Sequence, residues 1–140
     1  MTQIFRKTLL FAGLSALWVS PAVNAQSARL EADIPFAFHA GGKVLPAGAY
    51  LLTENGSPGI FLIRNRAQKE SQLVLAPEPK NYMPKTSKLV FVHGGNEYIL
   101  SEISVAGSTH TNAVTPAGVE KNMTRKLGVA TMISVPLRRK

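Results

Sequence analysis

The chain of 140 residues contains no cysteine, one tryptophan and one aspartate. Without cysteine there is no disulfide to staple the fold, no thiolate nucleophile and no thiolate metal ligand. A lipid anchor on a cysteine at a leader's cleavage point is excluded for the same reason. With Asp33 as the sole aspartate, a Ser-His-Asp triad must use it or a glutamate, and no G-x-S-x-G elbow is present. Neither a G-x-G-x-x-G nor a G-x-x-x-x-G-K-[ST] phosphate loop occurs. The eight acidic residues are dispersed and show no paired-carboxylate hydrolase pattern. His39, His93 and His110 stand far apart, outside metal-ligand spacing, whereas a zinc site needs three or four convergent ligands. No catalytic, cofactor-binding or metal-binding residue is assigned on this basis. The chain reads as non-enzymatic, without a cofactor. The one enzymatic alternative is a hydrolase or glycan-acting site converging from distant strands around His93, Glu97 and Glu102.

What is present begins with a leader. Arg6 and Lys7 precede an uncharged run from Thr8 to Val19 that holds the single tryptophan, Trp18. Twelve residues span about 18 Å as a helix, whereas a bilayer core about 30 Å thick needs roughly 20 apolar residues. That length fits the apolar segment of a signal peptide. Ser20 and Pro21 break the run, and Val23-Asn24-Ala25 supplies side chains suited to a peptidase site. Residues 1–25 are expected to be a signal peptide cleaved between Ala25 and Gln26. The remaining 26–140 would form one secreted or periplasmic domain with no transmembrane segment.

The whole chain carries 16 Lys+Arg against 8 Asp+Glu. Loss of Arg6 and Lys7 leaves 14 against 8, a net charge of +6. Such a charge keeps a surface wet and attracts polyanions, so an envelope polyanion or a protein partner is the expected class of contact. The bases look scattered along the sequence, and Arg138-Arg139-Lys140 reads as a frayed, solvated tail. Basic residues interleaved with stacking aromatics are absent, which argues against specific nucleic-acid binding. Among the aromatics, Tyr82 sits in a Pro-rich loop and is the one candidate for an exposed sugar platform.

Hydrophobic periodicity points to strands. Across Leu30 to Phe38 every even position is apolar, which places Leu30, Ala32, Ile34, Phe36 and Phe38 on one face of a strand. Pro35 cannot donate to a ladder, so that strand is expected either to be an edge or to turn its backbone nitrogen at 35 away from a partner; an edge there would also suggest a subunit pairing through edge strands. Gly41-Gly42 and Pro46-Ala47-Gly48 read as turns about a short extended piece, 43–45. Strands are expected at 49–54, 60–64 and 71–76, followed by an irregular loop bracketed by Pro77, Pro79 and Pro84. A hairpin joins 88–93 to 97–103 through Gly94-Gly95-Asn96. Thr115 as cap and Pro116 at the first position would open a short helix near 116–127, presenting Val119, Met123 and Leu127 on one face. Gly128 stops it, and 129–135 closes the chain as a strand. About seven strands separated by Gly, Pro and Asn predict an all-β antiparallel sandwich or small barrel.

The segment Ile34-Pro35-Phe36-Ala37-Phe38, then Gly41-Gly42-Lys43, then Leu45-Pro46-Ala47-Gly48-Ala49-Tyr50 resembles a group of uncharacterised small exported bacterial all-β proteins. Ser87-Lys88-Leu89-Val90-Phe91 and Glu97-Tyr98-Ile99-Leu100-Ser101-Glu102 extend the likeness over most of residues 32–105. The resemblance implies an exported β domain and no activity. The L-P-A-G-x-Y piece alone is similar to a strand-turn element of transthyretin-like and carboxypeptidase-regulatory sandwiches, where it is structural. The apolar Val129–Val135 departs from the charged helical tail common in the group. The expectation from sequence is thus an exported, non-enzymatic β domain with a binding or structural role at the envelope.

Overall fold

The computed structural model describes residues 29–80, 83–108, 111–116 and 118–140. The expected leader with its cleavage point, Tyr82 and His110 lie outside them. The described residues form two sheets packed as a sandwich that does not close into a barrel. Twelve short strands replace the seven or so expected from sequence. The first sheet runs in the order β12 (Arg138–Arg139), β1 (Arg29–Ile34), β4 (Gly48–Glu54), β5 (Ile60–Asn65) and β6 (Ser71–Leu75), antiparallel throughout. The second runs β11 (Thr131–Pro136), β8 (Lys88–Gly94), β9 (Glu97–Ser104), β10 (Thr111–Ala113) and β7 (Glu78–Lys80). Beside β9 lies β2 (Phe38–Ala40), in a short parallel contact at His39 and Ile99, and β2 pairs with β3 (Lys43–Leu45).

The difference in strand number has one main cause: the chain changes sheets at corners where the inward side-chain pattern continues unbroken. Leu30, Ala32, Ile34 and Phe38 are buried and Phe36 is half-buried, as their alternation requires. They belong to two strands, however, because the chain leaves β1 at Pro35 and enters the other sheet at Phe38. Strands that bend from sheet to sheet face one core from both sides. A proline at the corner loses no ladder bond. The same manoeuvre recurs at Pro46-Ala47, between β3 and β4, at Ala76-Pro77, between β6 and β7, and at the buried Leu137, between β11 and β12. Consequently β1 is no edge strand, since it pairs with both β4 and β12. The loop expected around Pro79 holds β7, where that proline occupies an edge strand opposite Asn112. Nor does the C-terminal segment fray: Leu30 pairs with Arg139, Glu31 with Arg138, and the Lys140 N–H donates to the Arg29 carbonyl at 3.1 Å.

Three rings hold the centre of the core. Phe38 meets Tyr50 and Phe91 edge-on, each with centroids 5.3 Å apart. The Tyr50 hydroxyl donates to the Pro46 carbonyl, four residues back across the Pro46-Ala47 turn. This bond gives a physical reason for the L-P-A-G-x-Y spacing. Leu45 and the tyrosine ring enter the core, and the phenol satisfies the carbonyl that the turn would otherwise bury. Burial pushes the Tyr50 phenol above its ordinary value; a hydrogen bond with Asn65 opposes the shift and the charge of Glu70 adds to it.

The helix, α1 (Gly118–Lys126), starts later than the sequence suggests. Pro116 lies outside it, and the Thr115 N–H donates to the Leu75 carbonyl at 2.7 Å. Gly128 ends it at φ +58, in the left-handed region that glycine enters without steric cost. The face that docks is not simply the apolar one. Met123 and Leu127 are half-buried, whereas Glu120 is 1 % exposed, and its carboxylate accepts the Gly42 N–H at 2.7 Å. At the other end Leu127 lies over Gly94, where an added Cβ would come within 2.8 Å of its side chain. The Gly41-Gly42 turn is thus held by α1 on one side and by Gln72 on the other, whose amide donates to the Gly41 carbonyl at 3.0 Å.

Gly41 adopts φ +60, and a Cβ there would lie 2.5 Å from the Gln72 amide nitrogen and 2.6 Å from the Leu73 carbonyl oxygen. Gly41→Ala is therefore expected to cost about 1–3 kcal/mol, read by urea unfolding. Tyr50→Phe is expected to cost about 1 kcal/mol near neutral pH through the lost buried hydrogen bond. The folded protein holds the phenolic proton above the ordinary value of 10.0. The contribution is complete below that value and declines as pH rises through the folded-state value, where the unfolded chain binds fewer protons. Urea titrations of both proteins at pH 7, 9 and above 10 should show the gap between them narrowing only in the alkaline series.

Candidate anion-binding face

Register determines what the outer face of the five-stranded sheet presents. In β1 the even residues face the core, so Arg29, Glu31 and Asp33 face outward. Cross-strand partners share a face, and one row therefore runs Arg138, Glu31, Leu51, Arg64 and Ser71 across all five strands. A neighbouring row runs Arg29, Thr53, Leu62 and Leu73. The turn after β5 adds Arg66. Asn65 is buried at that turn, and its Oδ1 accepts the N–H groups of Ala67 at 2.9 Å and Gln68 at 3.1 Å. This tight turn carries the Arg66 guanidinium to 3.3 Å from the Glu31 carboxylate.

Five basic side chains, Arg29, Arg64, Arg66, Arg138 and Lys140, thus gather around the two carboxylates Glu31 and Asp33. Glu31 pairs with Arg66 and, at 3.5 Å, with Lys140, while Asp33 pairs with Arg138. Arg29 and Arg64 are exposed and have no carboxylate partner among the described residues. The excess is three positive charges on one face. The Arg138–Asp33 pair is exposed on both sides and the half-buried Glu31 meets exposed cations, so such pairs contribute only ~0–1 kcal/mol each to stability, and their main physical effect is the local potential. Beyond the basic rows the same face turns apolar. Ile60 pairs with Leu75 and Leu62 with Leu73; Leu73 and Leu75 are exposed, and Ile60 and Leu62 are half-buried. The face therefore offers cations from β12 and β1 across to the Arg64 end of β5, and aliphatic groups at the opposite end of the β5–β6 pair.

The bases that look scattered in sequence are brought together by pairing between strands distant in the chain. Outward orientation of Arg29 follows from the alternation of Leu30 to Ile34. The register that sets Arg138 beside it carries no local sequence signal.

The residues considered for catalysis do not share a site. Glu97 is taken by His39, whose Nε2 lies 2.7 Å from its carboxylate. The His93 ring stacks on Tyr98 at 4.1 Å, and Tyr98 stacks on Phe36 at 3.8 Å. Glu102 pairs in register with Val90, five residues along β9 from Glu97, a separation of about 17 Å at the rise of a strand. A β-bulge intervenes, because Val90 opposes Glu102 while Phe91 opposes Leu100, leaving Ser101 unpaired in the ladder. Among the described residues no group of three or more His, Asp or Glu forms a metal-ligand set, and no helix is long and apolar enough to cross a membrane.

Comparison with protein-family models, curated proteins and solved structures finds no match for the chain. The functional reading therefore rests on the residues themselves. If Glu31 is the counter-charge that organises the face, Glu31→Gln should destabilise by less than about 1 kcal/mol. Hydrogen exchange at Lys140, whose N–H bonds to Arg29, should accelerate as β12 loosens.

Proposed function

We propose that this chain is an exported, non-enzymatic β domain that binds an amphiphilic, phosphate-bearing polyanion of the cell envelope through the outer face of its five-stranded sheet. The observation that carries the reading is the excess of three positive charges on that face beside an exposed strip of Leu73 and Leu75. Arginine is suited to phosphate because its planar fork donates two parallel hydrogen bonds and it remains charged at any working pH. Aliphatic side chains on the same flat surface suit the acyl region beneath a layer of anionic headgroups. The leader expected at residues 1–25 supports delivery to that compartment. The resemblance to small exported β proteins, from Ile34-Pro35-Phe36 to Tyr50, supports the same location.

The test uses vesicles of phosphatidylglycerol mixed with phosphatidylcholine against pure phosphatidylcholine, read by co-sedimentation. Binding is expected only to the anionic vesicles and should fall as salt rises. The double variant Arg29→Gln/Arg64→Gln removes the two unpaired cations and leaves the ion pairs in place. At about 1 kcal/mol per basic residue near an anionic surface, it should weaken binding roughly thirtyfold. Equal binding to neutral vesicles, or an unaffected double variant, would sink the proposal.

A further inference from the structure

The two arginines of β12 point to opposite sides of the sheet. Arg138 pairs with the outward Glu31, whereas Arg139 pairs with Leu30, which faces the core. Among the described residues of the five-stranded sheet, Arg139 is the one cation whose register places it on the inward side. It stands at the mouth of a cleft of about 380 Å³ between the sheets, floored by Leu30, Leu52 and Phe61. The turn Val105-Ala106 forms a wall. That turn is held in place by the Ser108 N–H donating to the Val105 carbonyl at 3.1 Å and the Ala106 N–H donating to the Ser87 hydroxyl at 2.8 Å. Glu54, also on the rim, accepts the Gly59 N–H at 3.1 Å and so serves its own loop. Arg139 has no carboxylate partner among the described residues.

Arg139 and Glu54 are charged residues at core-facing positions of their strands, Arg139 opposite Leu30 and Glu54 opposite Phe61, and both lie on the rim of this cleft. Such local violations concentrate at functional sites. The cleft volume lies at the lower end of the range for small-molecule sites, which combine an apolar lining with a few placed polar groups. We infer that the cleft binds a small amphipathic anion, with a carboxylate or phosphate monoester on Arg139 and a short aliphatic body over Leu30, Leu52 and Phe61. This site is separate from the outer face, which uses none of these side chains.

The probe is octanoate, titrated into the protein by calorimetry and by amide NMR. Saturable binding with one site and a Kd at or below about 1 mM is expected, with shifts confined to Val105–Ser108 and the neighbourhood of Arg139. Octyltrimethylammonium, of the same length and opposite charge, should not bind there. Arg139→Gln, an exposed change that leaves the strands paired, should weaken octanoate about tenfold. Ala106→Phe should occupy the cleft and abolish binding, with circular dichroism confirming the sheet. No saturable octanoate binding, wild-type affinity in Arg139→Gln, or shifts on the Arg29 and Arg64 face would each overturn the inference. The Arg29→Gln/Arg64→Gln protein should bind octanoate normally, so the two sites fail or succeed independently.

Discussion

A two-sheet sandwich without disulfides has to seal its open flanks with the chain itself, and that constraint organises this fold. Four corner crossings do the sealing, at Pro35–Ala37, at Pro46-Ala47, at Ala76-Pro77 and at Leu137. Each carries a strand from one sheet to the other, so the apolar faces stay covered where the sheets separate. The crossing at Leu137 has a second effect. It delivers β12 to the flank of β1, and β12 brings the two arginines whose opposite orientations create the basic face and the cleft mouth.

Polar groups inside the sandwich are handled with equal economy. Tyr50 turns its hydroxyl onto the Pro46 carbonyl, and Glu120 accepts the Gly42 N–H. Leaving such a group unpaired costs more than the pair gains net, so each bond acts chiefly by specifying geometry. The edges follow the same logic. Proline stands in β7 and β11, lysine in β3 and arginine in β12. β6 has none of these, but its Leu75 carbonyl accepts the Thr115 N–H and its Leu73 carbonyl faces Gly41. Edge protection of this kind discourages indiscriminate strand addition and leaves side-chain surfaces as the means of recognition.

Much of the architecture was legible in the sequence because alternation is a local signal. The buried set from Leu30 to Phe38, the hairpin around Gly95 and the glycine stop at Gly128 all follow from side-chain period and turn chemistry. The corners were not legible, since inward alternation passes through them unchanged. The short strands β7, β10 and β12 were missed because two or three residues carry no period. In the helix the apolar positions Met123 and Leu127 pointed to the docking face, but the buried glutamate that shares that face carried no apolar signal. The basic face depended on long-range register, so Arg29, Arg64, Arg66 and Arg138 read as unrelated residues. The cleft was hidden for the same reason: Arg139 becomes unusual only once Leu30 is seen opposite it.

The pairing of β12 with β1 also constrains how the molecule comes into being. Arg138 meets Asp33 across 105 positions of chain. Closing a span of that size is entropically costly and slow, and contacts so distant in sequence are among the last to form. A nascent chain still on the ribosome has β1 but not the strand that flanks it, so its first sheet stays incomplete until translation has passed residue 139.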